Sequence, residues 1–381
     1  MRKTKEELEE IKNKLGINRI WSWSKLNTYM TDPYEYLLKY ILRTPEDRKD
    51  SIYAVSGGCS HELIERFYQN ELNHQEMLTE YEDKVFEFNT LGLMYERSDK
   101  DKNEKIARKY EDCMKHFFSN HIRVTDKPMI EQFIIIKVGE NYFQGYIDFI
   151  NIEMRDGKKK IIITDWKTSS IYKGDKLIKE SGQLLLYGEG VHQKTKMSYE
   201  DIIIRFNFMK YVNVTYTQKK GDQKVRQIER NAIGEKLQSN AKTWLKHFKY
   251  DEDEVEIFLE QMLNTNGIKC LPKEVQAKFE INDCFVEVEL NEEIVKEHIQ
   301  YITEIITEIE KKENQYELTK NKNTFWQDVT KDNSYYHANL SGYSALIHMP
   351  YKKYLEELDM FKNKDNKADE DDLSWMEGLM D

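Results

Sequence analysis

Between Gly145 and Lys167 the chain reads GYIDFINIEMRDGKKKIIITDWK, with two isoleucine-rich runs flanking the dipeptide Asp156-Gly157. Asp-Gly between such runs predicts a β-hairpin, because a type I′ turn needs positive φ at both central residues. Counting outward from that turn sets Asp148 directly opposite Asp165. Side chains alternate along a strand, so Asp165 and Lys167 share one face, and Asp148 joins them from the facing strand.

The rest of the chain is read by the same periodicities. Residues 4–15 predict a short polar helix with Leu8, Ile11 and Leu15 on one side. Ser24 is the expected N-cap of a second helix, and Asp32-Pro33 opens a third with proline at its first position. The aromatics Trp21, Trp23, Tyr29, Tyr34, Tyr36 and Tyr40 are assigned mainly to core. Gly57-Gly58-Cys59-Ser60-His61 precedes a helical pattern, HELIERFYQNEL, whose first turn carries His61. Residues 75–120 read as helix. From Pro128 the pattern turns to β. Glu131 begins this region, either as a third carboxylate near the hairpin or, the preferred reading, as an edge charge.

Gln183 and Tyr187 lie four apart on one helix face, with Leu184, Leu185 and Leu186 on its buried side. Ile202–Thr217 reads as a long strand that pairs with 223–230 through Lys219-Lys220-Gly221-Asp222. Residues 231–263 and 291–314 read as helix, separated by a short β stretch at 279–290.

Composition narrows this picture. The chain has 381 residues, 39% hydrophobic and 12% aromatic, enough for a substantial core. The expected organisation is a polar helix at 1–20, an elaborated domain at 21–360 and an acidic tail at 361–381. The tail ends in an apolar tip, Leu373, Trp375, Met376, Leu379 and Met380, that could dock on a protein partner or be inert. No run reaches the roughly 20 apolar residues of a membrane span. The N-terminus lacks the apolar core of a signal peptide, so an intracellular, cytoplasmic protein is expected. Cys59, Cys113, Cys270 and Cys284 are too widely spaced for a zinc or disulfide framework. A formal charge of −11 argues against broad nonspecific nucleic-acid binding, yet much of it sits in the tail. Arg205, Lys210, Lys219, Lys220, Lys224, Arg226 and Arg230 form the candidate basic surface for phosphates, or else a plain solvated edge. No G-x-x-x-x-G-K-[ST] occurs, which excludes a P-loop motor.

The hairpin face carries the candidate chemistry. Facing carboxylates repel unless compensated, and Mg²⁺ or Mn²⁺ prefers such oxygens. Lys167 could orient the attacking water or stabilise charge developing on a phosphate. A solvated face with an ordinary salt bridge is the alternative. His61 is either a local hydrogen-bonder or a ligand, and Gln183 with Tyr187 either a helix rim or part of the same site.

Taken in order, Gly57-x-x-x-His61, Gly145-x-x-Asp148, Asp165-x-Lys167 and Gln183-x-x-x-Tyr187 resemble the motif series of RecB-like nucleases in the PD-(D/E)XK superfamily. Ser24-x-x-x-x-Tyr29-x-x-Asp32-Pro33-x-x-Tyr36 is similar to the N-terminal segment of that group. The resemblance covers residues 21–190, with a weaker echo at 336–350. It implies an α/β fold: a central mixed β-sheet flanked by helices, a restriction-endonuclease-like core with helical and β-hairpin additions. It also implies DNA cleavage with Mg²⁺ or Mn²⁺. By that likeness His61, Asp148 and Asp165 are metal ligands with help from the Trp166 carbonyl, and Lys167 positions the water. Gln183 and Tyr187 hold the lysine or the scissile phosphate.

Many relatives bind an iron–sulfur cluster through Cys-Pro near the N-terminus and Cys-x-x-Cys-x-Tyr-x-x-x-Cys near the C-terminus. Here Asp32, Ala338, Ser341 and Ile347 stand at those places. No iron–sulfur cluster is therefore expected, and packing should close the two segments on each other. The resemblance then leans to the cluster-free branch, with phage exonucleases and the mitochondrial genome maintenance exonuclease. Richness in Lys, Asn, Ile and Glu suits a phage or a low-GC bacterium. The expected function is an exonuclease acting on DNA ends or single strands in replication, recombination or repair. The alternative is a nucleic-acid-binding scaffold that recruits a partner through its tail, and the motifs also admit RNA as substrate.

Overall fold

The computed structural model describes residues 3–359, so the acidic tail and its apolar tip lie outside the described residues. The chain forms two compact units. The first joins residues 1–20 to 52–301, and the second joins 21–51 to 302–381.

The first unit is built on a mixed sheet. Its strands are β1 (Met129–Val138), β2 (Asn141–Arg155), β3 (Lys158–Lys167), β4 (Ile202–Thr217), β5 (Gln223–Glu229) and β6 (Phe279–Val288). β1, β2 and β3 form an antiparallel meander, and β3 pairs in parallel with β4. β4 pairs antiparallel with both β5 and β6. A parallel pair needs a crossover, and helix Gly182–Thr195 lies in the one between β3 and β4.

The β2–β3 turn is the expected one, with Asp156 at φ 52° and Gly157 at φ 75°. The ladder runs from Arg155↔Lys158 to Phe149↔Thr164. Carried one step further, this register sets Asp148 opposite Asp165, where the strands part.

Helices cover the sheet. α1 (Lys5–Leu15) is bracketed by a Thr4–Glu7 capping box and by Gly16 at φ 67°. α2 (Ile52–Tyr68) begins well before the expected start, so Gly57 and Gly58 are interior and His61 is not in the first turn. The reason is energetic. Two interior glycines cost about 1 kcal/mol each. Burial of a side chain such as Ile52 or Leu63 returns roughly 1.5–3 kcal/mol. The buried stripe Ile52, Ser56, Ser60, Leu63, Ile64, Phe67 runs through the glycines. α3 (His74–Thr90) and α4 (Lys100–Asn120) pack on it. Met77, Tyr81, Phe117 and Phe118 from these helices share one core with Phe149 and Trp166 of the sheet. A second core joins Val212, Val214 and Ile228 to Leu237, Trp244 and Met262.

In the second unit, helix Trp23–Thr31 is capped by Ser22, whose hydroxyl accepts from the Lys25 N–H at 3.3 Å. Ser24, the expected cap, is the second helical residue. Ser22 has the extended backbone that a cap needs, φ −135° and ψ 152°. Asp32 does cap the turn Pro33–Tyr36, accepting from the Tyr34 N–H at 2.8 Å. Tyr29, Tyr34 and Tyr36 are buried as expected. Tyr29 and Tyr36 donate to Glu308 and Glu313, each at 2.6 Å, on the long helix Glu292–Thr319.

The two segments of this unit also meet through polar contacts. Ser341 donates to buried Glu35 at 2.7 Å, and Tyr343 donates to the Thr44 carbonyl at 2.8 Å.

Candidate active site

α2, β1, β2, β3 and the helix Gly182–Thr195 bring their polar side chains into one cleft of about 640 Å³ in the first unit. Its wall includes Gly57, Gly58, His61, Glu131, Asp148, Asp165, Lys167 and Gln183. The interior glycines of α2 leave bare backbone there, and nothing lies within 4 Å of the place a Gly58 Cβ would occupy.

His61 Nε2 is 2.9 Å from the Trp166 carbonyl. A carbonyl only accepts, so Nε2 carries the proton and Nδ1 keeps a lone pair. That lone pair faces Asp148 Oδ2 at 3.5 Å. The Trp166 N–H lies 3.4 Å from the same oxygen. Burial holds the His61 pKa below its ordinary value, with Asp165 opposing, which keeps the ring neutral.

Asp165 is 5% exposed and Lys167 Nζ lies 2.8 Å from its Oδ2. That oxygen is buried and accepts no well-formed hydrogen bond among the described residues. Burial works to lower the Lys167 pKa, but the Asp165 carboxylate outweighs it and raises it. Burial also pushes the Asp148 carboxyl well above the usual carboxylate range. Asp165 and Glu131 add to this, and Lys167 opposes it. Ionising both aspartates in this cleft is therefore unfavourable unless a further cation offsets the charge.

A family model of the PD-(D/E)XK nuclease superfamily matches residues 20–316. The chain belongs to the PD-(D/E)XK nuclease superfamily. No curated protein matches it. Members of this superfamily are nucleases and typically use divalent metal ions.

Asp165 and Lys167 on β3 share the cleft with Asp148 on β2. The donor set suits a hard divalent cation: carboxylate oxygens of Asp148 and Asp165, the latter ion-paired with Lys167, and the His61 Nδ1 lone pair. The Trp166 carbonyl, expected among the ligands, accepts from His61 and holds that ring in place.

Gln183 reaches the cleft and donates through Nε2 to Tyr187 Oη at 2.8 Å. Tyr187 is only 6% exposed and lies behind Gln183 in the structure. Burial raises the Tyr187 pKa, and Asp148 adds to it, so the phenol stays neutral. Its ring lies against Gly145, where a Cβ would come 2.5 Å from Cε1. Gly145→Ala is therefore expected to displace the Tyr187 ring, cost about 1–3 kcal/mol by overpacking, and lower nuclease turnover through Gln183. Thermal melts alongside cleavage rates check this, and a variant as stable and active as the parent would refute it.

Glu131 lies on the edge strand β1 and also lines the cleft. It sits at φ 47° and interrupts the β1–β2 ladder between Ile130↔Phe149 and Gln132↔Ile147, opposite Asp148. A left-handed glutamate within a strand costs about 1–3 kcal/mol and marks functional sites. Glu65 and Gln69 also line the cleft. Glu65 lies one turn from His61 on α2 and Gln69 follows just past the helix end, a spacing of four that is visible in the sequence.

Most of the candidate basic surface divides by burial. Arg205 is buried on β4, with Nε 3.0 Å from Thr164 Oγ1 and its guanidinium 3.9 Å from the Phe285 ring centroid. Arg230 is buried against Asp283 and the Met209 carbonyl. Lys210 is half-buried with Nζ 4.8 Å from the Tyr110 ring centroid. These three do not offer an open cationic surface: Arg205 and Lys210 sit on β4, which is paired on both sides, and Arg230, in the turn after β5, is buried against Asp283. Lys219, Lys220, Lys224 and Arg226, out on the β4–β5 hairpin, are exposed. Among the described residues no helix is long and apolar enough to cross a membrane.

Proposed function

We propose that the chain is a Mg²⁺- or Mn²⁺-dependent DNA exonuclease of the RecB-like kind, in the branch without an iron–sulfur cluster. The observation that carries this is the gathering of His61, Asp148, Asp165, Lys167 and Gln183 in one cleft, from four separate elements. His61, Asp148 and Asp165 would hold the metal, which when bound supplies an acidified water and a clamp for the phosphate. The protein's own part follows from its geometry. Lys167, held on Asp165, would present its cation to the attacking water and the phosphate. Gln183, fixed by Tyr187, offers an amide to the same space. The exposed cations Lys219, Lys220, Lys224 and Arg226 would contact the strand's phosphates. The exonuclease assignment rests on the likeness to cluster-free exonucleases.

The test is digestion of end-labelled single- and double-stranded DNA, linear and circular, with Mg²⁺, Mn²⁺ or EDTA. Metal-dependent loss of linear DNA with circles spared is the expected result. Cutting of circles would replace the exonuclease reading with an endonuclease. Absence of cleavage under every metal would overturn the proposal in favour of a nucleic-acid-binding scaffold.

A further inference from the structure

A different cluster lies within the second unit. Asp32, His337 and His348 are 3%, 2% and 1% exposed. Their ligand atoms all lie within 4.8 Å of one another, the one such His/Cys/Asp/Glu group found among the described residues. His348 Nε2 hydrogen-bonds Asp32 Oδ2. His337 Nδ1 lies 3.7 Å from that same oxygen and has no hydrogen-bond partner.

That nitrogen is the informative atom. An unpaired polar atom in a protein interior costs about 1–3 kcal/mol. At 3.7 Å it is too far from Asp32 for a hydrogen bond. Two ligands of one tetrahedral zinc ion, with bonds of about 2.0–2.2 Å, stand roughly 3.4 Å apart. The spacing thus suits two ligands of one ion. The rings are also held in place. His337 stacks on Tyr351 with centroids 5.5 Å apart, and Arg48 donates to the His337 carbonyl. Asp32 Oδ1 is committed to the Tyr34 N–H, which orients Oδ2 toward the imidazoles.

We propose that Asp32, His337 and His348 form a structural site for a divalent borderline metal ion, with Zn²⁺ the best match to two imidazoles and one carboxylate. The ion would join the turn at Asp32-Pro33 to the segment 337–348, two stretches distant in sequence. Its protein ligands are buried, so it serves stability rather than catalysis.

Binding has a signature. The Tyr351 N–H donates to His348 Nδ1 at 3.0 Å, so without metal the ring proton is on Nε2. Ligation by Nε2 moves that proton to Nδ1 and releases the cap bond at the start of helix 349–359. Asp32 and His348 must also separate to ligand spacing.

The nuclease cleft can itself take metal, so the experiment uses the full chain carrying Asp148→Asn and Asp165→Asn. After stripping with chelator, the protein is titrated with Zn²⁺ while zinc content, melting temperature and imidazole ¹⁵N shifts are followed. One tightly held zinc, a higher melting temperature and a proton shift from Nε2 to Nδ1 on one histidine are expected. Adding His337→Gln should weaken zinc binding by about a hundredfold or more, beyond what loss of an outer-shell partner costs. No zinc uptake, or uptake indifferent to His337→Gln, overturns the site. Should the His337 variant not fold, unchanged imidazole shifts in the protein that keeps all three ligands overturn it equally. The outcome is independent of whether the chain cuts DNA.

Discussion

Asp165→Ala is expected to remove DNA cleavage and leave the fold in place. The loss should exceed about 10³-fold, the upper range for removing a single transition-state donor from an active site. Asp165 does two things at once. It offers a carboxylate to a cation in the cleft, and it holds Lys167 Nζ at 2.8 Å. Alanine deletes both. The fold should survive for electrostatic reasons. Asp165 faces Asp148, and their mutual repulsion is part of what pushes the Asp148 carboxyl upward. Removing one charge relieves that repulsion. Lys167 loses its partner but lines the open cleft, where water can replace it. The checks are single-turnover cleavage of end-labelled DNA in Mn²⁺ and thermal melts followed by circular dichroism. A well-folded Asp165→Ala protein with parental activity would falsify the nuclease assignment of this cleft. Lys167→Ala should give a comparable loss while metal binding persists, which separates water positioning from ligation.

Arg230→Met should carry the largest stability penalty. Arg230 is 1% exposed and joins Asp283 to the Met209 carbonyl, the latter at 2.8 Å. Asp283 also binds His121 Nδ1 at 2.6 Å, and His121 Nε2 meets the Tyr68 hydroxyl at 3.0 Å. Burial pulls the Arg230 pKa down despite Asp283, so the intact pair is near break-even. Its removal is not. Deleting one partner leaves Asp283 short of its counter-charge in the interior, for which about 3–5 kcal/mol is the usual cost. Chemical denaturation at neutral pH measures this, and a loss below about 1 kcal/mol, the level of an exposed pair, would contradict the account.

The acid limb gives a second readout. Burial would raise the Asp283 pKa, but His121 and Arg230 overcome it and hold it at about 2. An ordinary aspartate titrates near 3.9. A depressed folded-state pKa means stability fully present above the unfolded value and lost as pH falls through the folded one. The Asp283 contribution is therefore intact above about pH 4 and lost toward pH 2. In Arg230→Met the acid-unfolding midpoint should move to higher pH.

Much of the candidate site was legible because it rests on local rules. Asp156-Gly157 dictates a turn with both φ values positive, and strand alternation then sets Asp148, Asp165 and Lys167 on one face. The pair Gln183–Tyr187 follows from helical spacing alone. The start of α2 was misread because glycines usually end helices, and only the packing of Ile52 and its neighbours overrides that preference. The place of Glu131 in the cleft was not legible, because nothing in a linear pattern announces a left-handed residue inside a strand.

By itself, then, the sequence determined the elements, the hairpin register and the order of the polar motifs, since turn chemistry and periodicity act within a few residues. The tertiary structure alone decided which charges face solvent. Arg205 looks like a surface cation until β4 is seen paired on both sides, and Arg230 until Asp283 is seen against it. It alone set the His337 and His348 rings on Asp32, because the resemblance brings the two segments together while the choice of facing side chains depends on how they pack. And it alone decided that Tyr187 stands behind Gln183, since that order depends on the space Gly145 leaves open.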